Sequence, residues 1–338
     1  MLSKIYALLL SSLMALTFVI GCESANSSND TRENFNNISL ALDWYPWSNH
    51  VGLFVAKEKG YYKDNNLDIS IYTPSDPSNI LQTVGSGKDD FGISYQTDVI
   101  LAQAEGIPVT SVFAIVQHPL NSIITLKSSG INRPKDLEGK KVGYPGIPTE
   151  ELLLNTVVEY DGGNIQKVEL INVGYDLVKA LISKKVDAII GAYWVHESFI
   201  IEKQGLQVNV LKIEDWGVPD FYELVIVTNE NTVKNNPELI RKFLDSTVKG
   251  YQYSIENPET GINIMKNSNP EIDTKLETAG IKLLLPLWNE KDILFGWQDK
   301  TRWKNLASWM LDKKLINNPV DLDKTFTNQF VETSNGGR

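Results

Sequence analysis

Aromatic residues end several of the predicted strands, and carboxylates lie close to them. Asp43 and Trp44 end the first strand, and Tyr95 ends another. Tyr193 ends a strand in the second half of the chain, and Glu197 follows it by four residues. Ligands of open α/β sheets bind beyond the carboxyl ends of the strands. These residue types at strand ends therefore indicate a place that holds a small polar aromatic molecule.

Each of these side chains also has a purely structural interpretation. Trp44 can belong to the core, while Asp43 helps to cap the helix that follows it. A tyrosine such as Tyr95 can simply pack at the end of its strand. Glu197 can be a solvated acid in the first turn of a helix, where the helix dipole favours it. The spacing alone leaves both interpretations open, and the pairing of aromatic residues with carboxylates favours binding.

A second candidate region joins a predicted strand to a helix through the loop YPGIPTE, residues 144–150. Gly146 and Pro148 allow close approach of the backbone, and Thr149 can cap the helix. Backbone N–H groups near Ile147 would then face a ligand. The loop is not a phosphate loop, because it lacks the Gly-x4-Gly-Lys-Ser/Thr spacing. A simple capped helix start is the alternative.

The elements that must position these residues alternate between strand-like and helix-like runs, as in α/β proteins. The predicted strands cover residues 38–44, 67–73, 91–95, 110–116, 123–126, 142–144, 168–173, 188–194 and 224–228. The predicted helices cover residues 50–59, 80–86, 98–105, 150–160 and 177–183, and another helix follows Pro237. A break at residues 127–130 separates the first five strands from the remainder.

Residues 42–69, LDWYPWSNHVGLFVAKEKGYYKDNNLDI, carry a specific resemblance. The segment resembles the first βα unit of the thiamin-pyrimidine branch of the type II periplasmic binding proteins. In that pattern, DW is followed by two variable residues, a polar-Asn-His turn and a helix that runs into GY. The matching positions are Asp43, Trp44, Asn49, His50, Gly60 and Tyr61. The resemblance extends over nearly all of the chain after residue 38.

The resemblance implies a topology that composition cannot provide. We expect an α/β fold of two lobes joined by two crossover strands near residues 127 and 225. The first lobe would comprise residues 38–126 plus 226–338, and the second would comprise residues 127–225. Two crossings limit the motion between lobes to hinge closure about one axis.

The resemblance also implies a ligand and a set of contacts. The segment GAYWVHE, residues 191–197, is similar to the matching segment of formylaminopyrimidine-binding proteins. The ligand contacts carried over to matched positions are Asp43, Trp44, Tyr95, Gly146, Ile147, Pro148, Thr149, Tyr193 and Glu197. The implied protein is a monomeric solute-binding lipoprotein that passes a thiamin pyrimidine precursor to an ABC permease and its ATPase. It needs no cofactor and catalyses no reaction.

Two alternatives to this function differ in the ligand or in the chemistry. The first keeps the transport role but binds riboflavin or another flat heterocycle. The second is a thiamin-pyrimidine synthase, an enzyme that the same family includes. The fungal synthase has a cysteine-rich motif where this chain has GYPGIPTEE, and it uses a lysine-linked pyridoxal phosphate. This chain has no cysteine after Cys22. The choice among formylamino-, aminomethyl- and hydroxymethyl-pyrimidine or thiamin stays open.

The N-terminus predicts export. Residues 1–21 have the positive Lys4 followed by an apolar run, as in a signal peptide. The sequence VIGC resembles a bacterial lipoprotein box, which makes Cys22 the lipidated residue and places the protein on the outer face of the cell membrane. An ordinary secretory signal with an incidental cysteine is the alternative. Residues 22–37 are polar and predict a flexible tether.

Charge and histidine spacing exclude two other classes of function. The formal net charge is −10 and the pI is about 5.0, whereas nucleic-acid binding requires basic surfaces. The three histidines, His50, His118 and His196, lack the i, i+4 pairing of helical zinc sites. We therefore expect neither a nucleic-acid partner nor a metal.

Overall fold

The computed structural model describes residues 35–288 and 293–334. The predicted signal peptide, the predicted lipidation site Cys22 and most of the predicted tether lie outside these residues. The strands within the described part are β1 Asn36–Ala41, β2 Leu67–Tyr72, β3 Phe91–Ser94, β4 Val109–Val116, β5 Asn121–Leu126, β6 Lys141–Tyr144, β7 Glu169–Asn172, β8 Ala188–Tyr193, β9 Val208–Lys212 and β10 Leu224–Asn229.

The helices of the first half are α1 Val51–Glu58, α2 Tyr61–Asp64, α3 Ile80–Gly85, α4 Gln96–Ala104, α5 Pro148–Tyr160, α6 Leu177–Ile182 and α7 Glu197–Lys203. The helices of the second half are α8 Glu230–Asn235, α9 Pro237–Glu256, α10 Pro258–Ser268, α11 Thr274–Trp288, α12 Lys300–Asp312, α13 Leu322–Thr325 and α14 Val331–Ser334. None of the described helices has the length and apolar character required to cross a membrane.

The strands form two five-stranded sheets with the orders β2-β1-β3-β10-β4 and β7-β6-β8-β5-β9. In the first sheet β10 is antiparallel to both β3 and β4, and in the second β5 is antiparallel to both β8 and β9. Each sheet and its helices form one lobe, called the first and second lobe below. The chain passes between the lobes after β4 and again before β10. The α/β architecture of two sheets is thus the one that the sequence predicts.

The sequence assigns the strand at residues 123–126 to the wrong lobe. This strand is β5, which pairs with β8 and β9 in the second sheet. An all-buried apolar run fits the centre of either sheet, so its pattern does not reveal its partners. A boundary that follows the sheets falls between residues 116 and 121. Strand β9 is not among the predicted strands, and residues 36 and 37 belong to β1 rather than to the predicted tether.

Helices α1 and α9 cross very closely beneath the loop that carries Asp43 and Trp44. A Cβ atom at Gly250 would lie 2.0 Å from the Gly52 carbonyl oxygen, so only glycine permits this approach. The neighbouring Tyr251 hydroxyl donates a hydrogen bond to the Asn49 carbonyl at 2.6 Å. The crossing therefore fixes the start of α1 and with it the turn after β1.

Candidate functional site

A narrow cavity lies between the two lobes and has room for about one water molecule. This space, called the interlobe cavity, is lined by Asp43, Trp44, Trp47, Tyr95, Pro145, Ile147, Glu150, Gly191, Tyr193 and Glu197. Six of the predicted contacts line it: Asp43, Trp44, Tyr95, Ile147, Tyr193 and Glu197. The structure thus brings together the strand ends of both lobes.

The first lobe contributes a carboxylate that is held on both oxygens. Asp43 is buried, and its Oδ1 lies 2.8 Å from Nε2 of the buried His50. Its Oδ2 accepts a hydrogen bond from the Tyr95 hydroxyl at 3.1 Å. Burial and then the charge of Asp43 raise the pKa of Tyr95 well above its usual value, so this hydroxyl remains a donor. His50 and Tyr95 therefore fix the orientation of Asp43.

Two indole rings contribute the aromatic surface of the first lobe. Trp44 packs against Tyr175 of the second lobe, with ring centroids 4.6 Å apart and an angle of 60° between the planes. Trp47 packs against His196 at 4.6 Å and against Tyr193 at 5.5 Å. Trp47 was not among the predicted contacts, although it lies only three residues after Trp44. Both indoles thus contact the second lobe.

The second lobe contributes Glu197, which belongs to a charged network across the cleft. Its Oε2 accepts a hydrogen bond from the Tyr193 N–H at 2.8 Å, and its Oε1 lies 3.1 Å from His196 Nδ1. His196 Nε2 lies 3.2 Å from Oε1 of Glu277 in α11, and Glu277 Oε2 accepts from the Ser48 N–H at 2.6 Å. Burial alone would lower the pKa of His196, but the two glutamates raise it to about 10.

Three of the predicted contacts, Gly146 before α5 and Pro148 and Thr149 in its first turn, do not line the interlobe cavity. Gly146 has φ +87°, and a Cβ atom there would lie 2.5 Å from Asn172 Nδ2. The Thr149 hydroxyl donates a hydrogen bond to Asp98 of the first lobe, and Pro148 lines a separate groove beside α3 and α4. Direct contacts of these three residues with a ligand remain a prediction.

Glu150 is a cavity residue that the sequence analysis did not select. Its side chain is buried, and Oε1 accepts a hydrogen bond from Asn121 Nδ2 at 2.7 Å. Its Oε2 has no hydrogen-bond partner among the described residues. Burial raises the pKa of Glu150, and the Asn121 hydrogen bond opposes this effect. The resulting pKa is about 8. The sequence placed this residue in the first turn of a helix, where an acid is ordinary.

The cavity therefore combines aromatic rings with three carboxyl groups, from Asp43, Glu150 and Glu197. Such a site can stack a flat ring and accept hydrogen bonds from its amino groups. Among the described residues that line it there is no lysine and no cysteine, which are the usual covalent anchors and nucleophiles. Within residues 35–288 and 293–334, no three His, Cys, Asp or Glu side chains are grouped so that they could hold a metal ion.

Comparison with known proteins identifies relatives over nearly the whole chain. Residues 47–261 match the family model described as NMT1/THI5 like. A formylaminopyrimidine-binding protein of Halalkalibacterium halodurans is 34% identical, over 94% of this chain and 97% of its own length. A 4-amino-5-hydroxymethyl-2-methylpyrimidine phosphate synthase of Saccharomyces cerevisiae is 27% identical, over 87% of each chain.

Solved structures show the same fold at lower sequence identity. The alkanesulfonate-binding protein of Xanthomonas axonopodis superposes with a TM-score of 0.66 at 13% identity, over 86% of this chain and 98% of its own. The fold is therefore that of the periplasmic binding proteins. The predicted fold class and family resemblance are confirmed.

Proposed function

Because the chain belongs to the NMT1/THI5-like family, we propose that it binds an aminopyrimidine precursor of thiamin outside the cytoplasm and delivers it to an ABC importer. One observation carries this proposal. Trp44 of the first lobe and Tyr193 of the second line the same cavity as the carboxyl groups of Asp43, Glu150 and Glu197. A flat ring with an amino group matches this combination.

The expected interactions can be estimated from their chemistry. Each aromatic pair adds about 0.5–1.5 kcal/mol beyond the burial of apolar area. A hydrogen bond from the ligand amino group to an ionised carboxylate adds about 1.5–3 kcal/mol. Three carboxyl groups in the lining disfavour an anionic ligand such as a sulfonate. The site therefore favours a neutral or cationic heterocycle.

Binding without catalysis is the function that the lining supports. A synthase activity is the second candidate function, because the synthase of Saccharomyces cerevisiae aligns with 87% of this chain. A synthase that uses a lysine-linked cofactor would require a lysine in its site, and none of the residues that line the interlobe cavity is a lysine. We therefore assign the chain to the binding branch, as its 34% identity to a binding protein suggests.

The mechanism that we propose is ligand-driven closure. A ligand between Trp44 and Tyr193 contacts both lobes only when they are together, so it shifts the population towards the closed form. The importer would then recognise that form. Lipidation of Cys22, as the sequence VIGC suggests, would keep the protein beside its permease.

A thermal-shift panel tests the proposal. The chain that begins at residue 23 keeps every described residue and removes the signal segment. We expect stabilisation by 4-amino-5-hydroxymethyl-2-methylpyrimidine or its formylaminomethyl analogue, reaching about 2.7 kcal/mol at 100 times the Kd. Ethanesulfonate is the matched negative control. Thiamin and riboflavin complete the panel.

The outcome distinguishes the candidate functions. Stabilisation by riboflavin alone would mean that the ligand is another flat heterocycle and not the pyrimidine. Stabilisation by the sulfonate alone would contradict the proposal. Incubation of the protein with pyridoxal phosphate, followed by mass analysis of the protein and of the small molecules, provides the remaining test. We expect no covalent attachment and no new pyrimidine phosphate, whereas either result would favour the enzyme.

A further inference from the structure

We infer that Glu150 binds the ligand as a neutral carboxylic acid, donating a hydrogen bond to a ring nitrogen while accepting one from the adjacent amino group. This inference rests on the proposed function and specifies which edge of the pyrimidine the site recognises. Its starting point is the buried Oε2 of Glu150, which has no partner among the described residues. A buried polar atom without a partner is costly unless a ligand satisfies it.

The hydrogen bonds around Asn121 determine which oxygen of Glu150 carries the proton. The Gly191 N–H donates to Asn121 Oδ1 at 3.2 Å, which sets the amide orientation. Asn121 Nδ2 must then be the donor to Glu150 Oε1, at 2.7 Å. An oxygen that accepts this bond serves as the carbonyl oxygen of the acid. The proton therefore belongs on Oε2, the oxygen that remains for a ligand.

The surroundings of Glu150 favour the protonated form. Burial, together with the charges of Glu223 and Asp98, raises its pKa to about 8 against the opposing effect of the Asn121 hydrogen bond. The titratable groups around it on the neighbouring elements are Asp43, Tyr95, Asp98, Tyr193, Glu197 and Glu223. All of these are acids, so none provides a positive charge to hold Glu150 ionised. The two histidines lie beyond them, His50 beside Asp43 and His196 between Glu197 and Glu277.

A neutral acid and an aminopyrimidine have complementary edges. The acid presents an O–H donor beside a carbonyl acceptor, and the pyrimidine presents a ring nitrogen beside an NH₂ donor. Oε1 has two lone pairs, so it can accept from the ligand as well as from Asn121. An ionised Glu150 would instead direct a lone pair at the ring nitrogen. Gly191 leaves room for this pairing, because a Cβ atom there would lie 3.2 Å from the Glu150 carboxyl carbon.

Two substitutions distinguish the acid from a carboxylate. Glu150→Gln replaces the O–H donor with an N–H donor and keeps a carbonyl acceptor for Asn121. We expect it to bind 4-amino-5-hydroxymethyl-2-methylpyrimidine within threefold of the parent at pH 7, by calorimetry. Glu150→Ala removes both groups and should weaken binding tenfold or more. The aniline analogue, in which CH replaces the ring nitrogens, should bind the parent at least tenfold more weakly than the pyrimidine.

The pH profile is the readout that a merely structural role would not change. The parent should lose affinity above pH 8, by up to tenfold per pH unit, because the acid must regain its proton to bind. Glu150→Gln should show no such loss over the same range.

Other outcomes would overturn the inference in identifiable ways. A tenfold loss in Glu150→Gln, together with parent affinity that holds or rises above pH 8, would show that Glu150 binds as a carboxylate. A pH-dependent loss that persists in Glu150→Gln would assign the titration to another group. If the parent bound no pyrimidine at any pH, the proposed function itself would fail.

Discussion

The carboxylates of Asp43 and Glu197 are both positioned before any ligand arrives. Asp43 is held by His50 and Tyr95, and Glu197 by the Tyr193 N–H and by His196. A carboxylate offers about four lone-pair sites, so each retains capacity to accept from a ligand. Fixing these side chains in advance reduces the entropy that binding would otherwise cost. We therefore expect the network to contribute to affinity by holding both carboxylates in place.

Glu197→Gln tests the role of this charge. Glutamine keeps an oxygen for the Tyr193 N–H but replaces a charge-assisted ligand bond with a neutral one. We expect the affinity for 4-amino-5-hydroxymethyl-2-methylpyrimidine to fall tenfold or more, about 1.4 kcal/mol, by calorimetry. Glu202→Gln, at an exposed position of the same helix, is the matched control and should bind like the parent. Parental affinity in Glu197→Gln would show that Glu197 has no direct role.

The sequence predicts the cavity residues that lie at strand ends. It does not predict a cavity residue such as Glu150, whose burial is visible only in the folded structure. Asp43, Trp44, Tyr95 and Tyr193 were found because carboxyl ends of strands converge in such folds. Glu150 was missed because a first-turn acid has the same sequence signature whether it is solvated or buried. Its hydrogen-bond partner Asn121 lies 29 residues away in the sequence, at the start of β5, which pairs with β8 in the second sheet. Only the three-dimensional pairing of strands could show this.

At the scale of elements, helix α11 of the first lobe connects to the second lobe through one side chain. Glu277 lies 3.2 Å from His196 and also accepts from the Ser48 N–H. The helix can approach because residue 280 is glycine. A Cβ atom at this position would lie only 2.8 Å from Ser48 Oγ and 3.2 Å from the Val195 carbonyl oxygen. This bridge therefore joins α11, the turn before α1 and the start of α7.

Glu277→Gln should weaken this bridge in a pH-dependent manner. The pKa of His196 is raised from 6.5 to about 10 in the folded protein, so its stabilisation is complete below about pH 6.5 and disappears as the pH rises through 10. Removing one carboxylate should lower the free energy of unfolding by about 1–3 kcal/mol at pH 6. We expect the difference from the parent to shrink towards pH 10 in urea titrations.

The matched control for this series is Glu271→Gln, at an exposed position before α11. It should change the free energy of unfolding by less than about 0.5 kcal/mol at every pH. An equal deficit of Glu277→Gln at pH 6 and pH 10 would mean that the glutamate stabilises the fold by packing alone. The bridge would then have no electrostatic role.

Element types were easier to predict than element partners. The helix predicted at residues 150–160 matches α5, and the strand predicted at residues 67–73 matches β2, because each has a clear local pattern. The partners of β5 depend on which sheet completes its hydrogen bonds, and an apolar sequence carries no information on that choice. Strand β9 was missed because it is a short edge strand with mixed burial.

At the scale of the whole molecule, contacts outside the cavity hold the two lobes together. Tyr175 of the second lobe donates a hydrogen bond to the Pro74 carbonyl of the first at 3.0 Å, while its ring packs against Trp44. The Lys203–Asp273 ion pair also joins the lobes, but its exposure limits its value to about 0–1 kcal/mol. We expect contacts of this kind to form when the lobes close, and therefore to slow the release of a ligand.

Tyr175→Phe isolates one of these contacts, because it removes the hydroxyl and leaves the ring on Trp44. Loss of the hydrogen bond to the Pro74 carbonyl should destabilise the closed form by about 0.5–1.5 kcal/mol. We therefore expect the pyrimidine to dissociate about two- to tenfold faster, with little change in its association rate. Stopped-flow tryptophan fluorescence can follow both rates, since Trp44 and Trp47 line the cavity.

The control for this substitution is Tyr160→Phe, which removes the same hydroxyl from a side chain that is 65% exposed. It should leave both rate constants unchanged. A dissociation rate in Tyr175→Phe equal to that of the parent would show that opening does not require the Tyr175 hydroxyl to leave the Pro74 carbonyl. Slower association instead would mean that the contact forms before the ligand binds, because only then does its loss affect the encounter. A faster dissociation rate with an unchanged association rate would show that the contact forms when the lobes close.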